Sequence, residues 1–235
     1  MSISESRVVI IGGTSGIGLA TAKLLVSRGS TVTITGRDQS RLERAIAELG
    51  ESACGESVDA MDREALERLF DRKVWFDHIV LAASGGAGAG PFGSIASERL
   101  RSGFEAKFWA QWNAAQAAAP HLTPNGSITF ITAASSRLAN PGTSGLAAIN
   151  GALERMVPTL ARELAPLRVN AVSPGVVATP WWSDKSEEMF LGACRQTPLG
   201  RAGSPDELAD AIAFLIGNTF VTGVVLDVDG GLHLT

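Results

Sequence analysis

The sequence has 235 residues, of which 45% are hydrophobic and 19% are charged, with 26 glycines and 10 prolines. This composition excludes a disordered chain, a collagen-like repeat and a disulfide-stabilised miniprotein. The formal net charge of -4 is spread without long charged runs. We therefore expect neither a nucleic-acid-binding nor a membrane-binding surface.

Two cysteines, Cys54 and Cys194, stand far apart and form no C-x-x-C motif. We expect both to be free thiols in a reducing compartment, and hence a cytoplasmic protein. The amino terminus passes through polar residues into an apolar run at 8–11 that is too short for a signal peptide. No run reaches the ~18 apolar residues that a membrane helix needs.

Short β-branched segments alternate with segments of helical periodicity along the chain. Strands are predicted at 8–11, 31–35, 79–81, 128–132, 169–172 and 224–228, with a weaker one at 54–58. Such alternation is typical of a parallel sheet with helices on both faces. Because no linker, repeat or low-complexity segment is visible, we predict one doubly wound α/β domain over residues 1–235.

Helix starts are predicted at two capping boxes, residues 40–43 and 204–207, each followed by apolar residues on one helix face. Two longer helices are expected at 97–118 and 145–165. The second contains Pro158, which must kink the helix or cost about 3 kcal/mol.

A glycine-rich segment follows the first predicted strand and opens the next helix. Residues 12–18 read Gly-Gly-Thr-Ser-Gly-Ile-Gly. Glycines in such a turn let backbone N–H groups and the positive end of the helix approach a pyrophosphate, although tight turns also use glycine for purely structural reasons. We predict a Rossmann-type dinucleotide site. In this segment the residues predicted to bind the cofactor are Gly12, Thr14, Ser15, Gly16, Ile17 and Gly18.

Further segments resemble the short-chain dehydrogenase/reductase family over essentially the whole chain. Asp59 ends the third strand where the family has an adenine-contacting Asp, and residues 168–175 match the segment that leads to the nicotinamide. Thr179 completes the family's P-G-x-x-x-T, and Gly223 with residues 227–231 resembles its closing strand.

The resemblance implies a nicotinamide cofactor and a homodimer or homotetramer formed through the two long helices and the final strand. It adds as cofactor-binding residues Asp59, Ala60, Ala82, Ala83, Ser84, Asn150, Pro174, Gly175, Val177 and Thr179.

The end of the second strand bears on the choice of cofactor. An NAD enzyme places a carboxylate there to bind the ribose hydroxyls, whereas this chain has Gly36 with Arg37 beside it. A guanidinium pairs with a 2′-phosphate that a carboxylate would repel. We therefore predict NADP(H), bound by Arg37; the alternative is that Arg37 is a solvated surface residue and Asp38 is the ribose ligand.

The catalytic residues that the resemblance implies are missing. In the family a Tyr transfers the substrate proton, a Lys lowers the pKa of that Tyr, a Ser holds the carbonyl and an Asn supports a water chain. The matching positions hold Leu146, Asn150, Ala133 and Lys107, respectively, and the chain contains no tyrosine. A register shift of one or two residues would bring Thr132, Ser135 or Ser136 into the Ser role, but no shift supplies a phenol.

Lys107 is the predicted replacement for the phenol, with Gln111 on the same helix face. Desolvation in an apolar site lowers a lysine pKa from about 10.4 toward neutrality, which makes the ammonium a suitable acid for a ketone becoming an alkoxide. Thr132 and Ser136 are predicted to orient the carbonyl. The alternative is that Lys107 points to solvent or pairs with Glu105 or another carboxylate.

Aromatic and flexible apolar residues follow Thr179, in the segment that the family uses as a mobile substrate lid. They either enclose an apolar small-molecule substrate or pack against another subunit. These residues are Trp181, Trp182, Met189 and Phe190. Arg137 lies near the same mouth and is expected at the surface.

The three histidines, His78, His121 and His233, show no metal-ligand spacing with one another or with the cysteines. We predict no metal site and expect these residues in loops or at helix ends.

These observations predict an atypical NADP(H)-dependent oxidoreductase acting on a carbonyl or alcohol. The alternative is an NADP(H)-binding pseudoenzyme that senses or scaffolds. A structural subunit without a cofactor is disfavoured because the cofactor motifs occur together.

Overall fold

The computed structural model describes residues 3–71 and 74–235. Seven parallel strands form one sheet in the order β3-β2-β1-β4-β5-β6-β7. They are β1 (Arg7–Ile11), β2 (Thr31–Gly36), β3 (Ala53–Ser57), β4 (Phe76–Leu81), β5 (Leu122–Ile131), β6 (Arg168–Pro174) and β7 (Val225–Val228). The predicted doubly wound Rossmann-type fold is confirmed.

Helices connect the strands and cover both faces of the sheet. They are α1 (Gly16–Ser27), α2 (Gln39–Leu49), α3 (Arg63–Phe70), α4 (Ser97–Gly103), α5 (Ala110–Ala118), α6 (Ser144–Glu163), α7 (Glu187–Gln196) and α8 (Pro205–Gly217). Because side chains alternate along a strand, Val9 and Ile11 join the core on one face, while Val8 and Ile10 join the core on the other.

Every predicted strand is present, but β5 is longer than its sequence pattern suggests. It begins at Leu122, opposite Phe76, and reaches the regular register only at Ser127, after an irregularity in the pairing with β4. The polar residues in this first part conceal the strand from hydrophobic periodicity. Thr132, predicted as the last residue of the strand, lies just beyond its end, where its N–H still donates to the carbonyl of Val172.

The predicted capping box at 40–43 is wrong. Helix α2 begins two residues earlier because Asp38 is its N-cap, with Oδ1 accepting a 2.9 Å hydrogen bond from the N–H of Arg41. An aspartate caps a helix as well as a serine does, and Ser40 falls inside the first turn. The box that opens α8 is confirmed, since Ser204 and Glu207 exchange side-chain to backbone hydrogen bonds.

The two long helices form where predicted, with internal irregularities. Between α4 and α5 the helix widens into a π-helical segment, Phe104–Trp109, which carries Lys107. Helix α6 continues past Pro158, which leaves the carbonyl of Glu154 without its usual i+4 donor.

The expected loop or helix-end position of His78 is also wrong. It lies buried within β4, where its ring nitrogen Nδ1 is 2.8 Å from the hydroxyl of Ser127 on β5. Burial is the main cause that lowers the pKa of His78 to about 4, so the ring is neutral at pH 7.

Candidate active site

One cleft of about 920 Å³ opens at the carboxyl ends of the strands, where the strand order changes direction between β1 and β4. This edge is the usual ligand-binding position in a doubly wound sheet. Every residue that the sequence predicts to bind the cofactor lines this cleft: Gly12, Thr14, Ser15, Gly16, Ile17, Gly18, Arg37, Asp59, Ala60, Ala82, Ala83, Ser84, Asn150, Pro174, Gly175, Val177 and Thr179.

The start of α1 forms one wall of the cleft. Its N-cap, Ser15, makes no side-chain capping bond, and its first turn contains no acidic residue. The first N–H groups of the helix are thus left for a ligand, and no carboxylate there repels an anion. A Cβ atom on Gly18 would collide with the carbonyl oxygen of Gly12. The tight packing of the turn therefore requires glycine at position 18, whether or not a cofactor binds. The arrangement fits a pyrophosphate.

At the end of β2, a Cβ atom on Gly36 would lie 2.5 Å from Cγ2 of Thr14. The exposed Arg37 lines the cleft beside it, and within residues 3–71 and 74–235 no carboxylate pairs with its guanidinium. Arg41 lines the same end, with Nε 3.8 Å from Oδ2 of Asp38. Asp38 also borders the cleft, but its carboxylate is engaged as the cap of α2.

Lys107 enters the cleft from the π-helical segment. Its side chain is buried, with the residue only 7% exposed, and Nζ donates a 2.9 Å hydrogen bond to the backbone carbonyl of Thr132. Burial lowers the pKa of Lys107 to about 8, while the carboxylate of Glu154 opposes that shift. The alternative in which Lys107 points to solvent is therefore wrong. Glu105 lies exposed on the same helical segment.

Residues on α6 spaced four apart face the same cleft as Lys107. Leu146 and Asn150 line it, as does Ala133, which follows the end of β5. The side-chain nitrogen of Asn150 donates to Oγ of Ser135 at 3.1 Å and to the carbonyl of Leu146 at 3.0 Å. Oδ1 of Asn150 is buried, and no partner for it occurs in the part of the chain that the structure describes.

Of the two hydroxyl residues predicted to be catalytic, Thr132 lines the cleft but Ser136 does not. A 3₁₀ turn, Ala134–Ser136, follows β5. Consecutive residues in such a turn point about 120° apart, and here Ser135 is the serine that reaches the cleft. The hydroxyl of Ser136 is buried, without a hydrogen-bond partner among the described residues.

Arg137 lies at the surface, as expected, with its side chain 38% exposed. Its guanidinium binds the carboxylate of Asp227 through both terminal nitrogens, and Nη2 lies 3.7 Å from Oε2 of Glu154. Oε1 of Glu154 in turn accepts a 2.8 Å hydrogen bond from the hydroxyl of Thr132. This chain of contacts leads from the surface to the residue that holds Lys107.

The segment after Thr179 forms part of the lining of the cleft. A 3₁₀ turn, Pro180–Trp182, brings both tryptophans into the lining, with their ring centroids 4.9 Å apart. The ring of Phe190 packs on the ring of Trp182, with centroids 5.2 Å apart, but Phe190 does not line the cleft. Met189 is exposed.

His233 lies near the carboxyl terminus in a 3₁₀ turn, Leu232–Leu234, with Nδ1 2.7 Å from Oδ2 of Asp229. Asp227 is close enough to form a group of three candidate metal ligands with them. The Asp227 carboxylate is already paired with Arg137, and that of Asp229 accepts hydrogen bonds from the N–H groups of Gly231 and His233.

Known proteins resemble this chain over almost all of its length. A family model described as enoyl-(acyl carrier protein) reductase matches residues 12–233. Carbonyl reductase family member 4 from Danio rerio is 33% identical, covering 96% of this chain and 97% of its own. A short-chain dehydrogenase/reductase from Stachybotrys chlorohalonatus is 32% identical, covering 99% of both. The chain belongs to the short-chain dehydrogenase/reductase family.

Solved structures of the same family agree in fold. A small-chain dehydrogenase in complex with NADPH superposes with a TM-score of 0.86 at 33% identity, covering 99% of this chain and 100% of that chain. A short-chain dehydrogenase/reductase from Serratia marcescens reaches a TM-score of 0.91 at 26% identity, with 99% and 100% covered. The protein is an oxidoreductase of the short-chain dehydrogenase/reductase type. Among its described residues, none of the helices is both long and apolar enough to cross a bilayer.

Two side chains at this short-chain dehydrogenase/reductase site are not among the predicted site residues: Arg41 and Glu154. Ser135, named above only as a register-shift candidate for the family's Ser, is the serine that lines the cleft. Arg41 carries a weak signal, because it follows Arg37 by four residues at the start of a helix. Glu154 carries a similar signal, since it continues the four-residue spacing of Leu146 and Asn150. Its partner Thr132 is contributed by another element, which periodicity does not reveal.

Proposed function

We propose that the protein binds NADP(H) and reduces a carbonyl compound, or oxidises the corresponding alcohol, with Lys107 in place of the missing phenol. The observation that carries this proposal is the buried ammonium of Lys107 in the cleft, fixed by the carbonyl of Thr132. A relative of known structure was solved in complex with NADPH, which supports the cofactor.

The two ends of the cleft would bind different parts of the cofactor. The start of α1 fits the pyrophosphate, and Arg37 supplies a positive charge for a 2′-phosphate. Arg41 lies at the same end of the cleft, with its own charge partly balanced by Asp38. Bound at the cleft, the nicotinamide supplies or accepts the hydride. Asn150, whose Oδ1 has no partner among the described residues, can accept a hydrogen bond from a ribose hydroxyl.

Lys107 is suited to the proton transfer. With a pKa of about 8, the amine is about 90% protonated at pH 7 and still gives up its proton far more readily than an exposed lysine. Nζ uses one of its three hydrogens for Thr132, which leaves the others for a substrate oxygen. In the oxidation direction the neutral amine would accept the proton.

The substrate is expected to be small and largely apolar. The cleft that holds Lys107 also has large apolar residues in its lining: Leu138, Leu146, Ile149, Trp181 and Trp182. An apolar group can bury itself there while a single carbonyl oxygen meets the ammonium. Ala133 and Leu146, at the positions where the family has Ser and Tyr, offer no hydroxyl to that oxygen.

A second candidate function is that of an NADP(H)-binding pseudoenzyme that senses or scaffolds. The absence of any tyrosine favours this second function, because the predicted cofactor-binding residues are retained while the family's proton donor is absent. Turnover distinguishes the two functions.

The deciding experiment compares Lys107→Met with the parent protein on a panel of apolar ketones and aldehydes with NADPH. We expect the reduction rate to fall by about 10²–10⁴-fold, the usual contribution of a general acid, with little change in NADPH affinity. Lys23→Met, at an exposed lysine paired with Glu48, is the matched control and should leave the rate unchanged. An unaltered rate in Lys107→Met would refute the assigned donor, and no turnover by the parent would favour the pseudoenzyme.

A further inference from the structure

Thr132 holds Lys107 and Glu154 at the same time, through two different oxygens. Its backbone carbonyl accepts the 2.9 Å hydrogen bond from Nζ of Lys107, and its hydroxyl donates the 2.8 Å hydrogen bond to Oε1 of Glu154. The side chain of Glu154 is only 11% exposed. A largely buried carboxylate and a buried ammonium are therefore held by the same residue, Thr132.

Two further charges extend this arrangement toward the surface. Nη2 of Arg137 lies 3.7 Å from Oε2 of Glu154, but both of its terminal nitrogens bind the carboxylate of Asp227 more closely. Asp227 thus neutralises much of the positive charge that Arg137 would otherwise place on Glu154. From the cleft outward the charges alternate in sign: Lys107, Glu154, Arg137 and Asp227.

We propose that Glu154 is a positioning residue that keeps the amine of Lys107 protonated and in place, and that Arg137 and Asp227 adjust this effect from the surface. The role in catalysis rests on the proposed function, whereas the coupling of the charges does not. The charged groups come from separate elements, since Glu154 lies on α6, Arg137 follows β5 and Asp227 lies on β7. Glu105, on the same π-helical segment as Lys107, is exposed.

The physical basis is the opposition of burial and charge. Burial alone favours the neutral amine, and the negative charge of a neighbouring carboxylate favours the ammonium. Removing the charge of Glu154 should therefore lower the pKa of Lys107. Removing the charge of Arg137 should raise it, because Glu154 and Asp227 then act unopposed. Removing the charge of Asp227 should lower it, because Arg137 then acts unopposed on Glu154.

The experiment titrates Lys107 directly in the full chain, without substrate. The lysines of the sequence are Lys23, Lys73, Lys107 and Lys185, so ¹³Cε-lysine labelling gives few signals, and Lys107→Met assigns the one that matters. In Glu154→Gln, which retains an oxygen acceptor for Thr132, the titration midpoint of Lys107 should fall by at least about 1 pH unit. Glu163→Gln, at an exposed residue of the same helix, should leave it unchanged.

The surface pair supplies a second test that leaves the buried carboxylate intact. Arg137→Gln should raise the midpoint and Asp227→Asn should lower it, a pair of opposite signs that a loosened structure would not produce. An unchanged midpoint in Glu154→Gln, or shifts of the same sign in the two surface variants, overturns the proposal. A normal reduction rate in Lys107→Met would instead refute the proposed function alone, because the NMR titration does not depend on turnover.

Discussion

Gly36 packs against Thr14 so closely that a Cβ atom at position 36 would lie 2.5 Å from Cγ2 of Thr14. Any larger side chain at the end of β2 must displace this threonine, which belongs to the glycine-rich loop. A carboxylate at this position, the group that would select NAD, would therefore require Thr14 to move. The guanidinium of the neighbouring Arg37, which has no paired carboxylate among the described residues, is then available to a 2′-phosphate.

The first prediction concerns this selection. Arg37→Ala should remove most of the preference for NADPH over NADH, a loss of about 1.5–3 kcal/mol for one charge-assisted contact. Titration of both cofactors against tryptophan fluorescence measures the two Kd values. Arg44→Ala, at an exposed arginine further along α2 that does not line the cleft, is the control. Equal affinities of the parent protein for the two cofactors would contradict the prediction.

The second prediction is the pH dependence of the reaction. The amine of Lys107 must be protonated to act as an acid, and its pKa is lowered to about 8. The rate of carbonyl reduction should therefore be constant near neutral pH and fall as the pH rises through about 8, while alcohol oxidation should rise over the same range. Initial rates in both directions, with NADPH and NADP⁺ saturating at each pH, provide the measurement. A reduction rate that stays level up to pH 9.5 would exclude Lys107 as the donor.

The third prediction restores the family's residues. Leu146→Tyr with Asn150→Lys would place a phenol and its lysine one helical turn apart in the same cleft. We expect NADPH-dependent ketone reduction to rise, or to appear at all if the parent is inactive, because the phenol is a general acid worth about 10²–10⁴-fold. Leu146→Phe with Asn150→Lys, which lacks only the hydroxyl, should show no such gain. Equal rates in the two double variants would mean that the ring does not reach the substrate.

The fourth prediction is assembly. The protein should be a dimer or tetramer at micromolar concentration, and light scattering after size exclusion measures its mass. Trp109 on the long helix and Phe220 before β7 are large apolar residues that are exposed in the single chain, at the two predicted interfaces. Trp109→Glu and Phe220→Glu should each reduce the mass, whereas Trp75→Glu, at an exposed tryptophan outside these segments, should not. A monomeric parent protein would refute the prediction.

The sequence predicts the sheet well because each buried strand is an apolar run between helical segments, and burial on both faces leaves a clear signal. It predicts helix starts less well. Residues 38–43 contain two competent caps, and which one is used depends on how the chain leaves β2. The two shorter helices α3 and α7 are not among the predicted elements.

At the site, the residues that line the cofactor-binding part of the cleft could be predicted because they follow one another along short segments. The environment of Lys107 could not, since it depends on Thr132, Glu154 and Arg137, which come from different parts of the chain. Likewise, the choice between Ser135 and Ser136 is made by a single 3₁₀ turn. Only the folded geometry decides which of two adjacent hydroxyls faces the cleft.

The π-helical segment from Phe104 to Trp109 affects the direction in which the side chain at position 107 points. A π-helical turn contains more residues than an α-helical turn, so it shifts the angular phase of everything that follows it. In an uninterrupted α-helix one residue corresponds to about 100° of rotation. The direction of Lys107 is thus encoded by the number of residues in the helix as well as by their identity. A lysine introduced at the equivalent place in a regular helix would not point in the same direction, and deleting a single residue from this segment would turn Lys107 relative to α5.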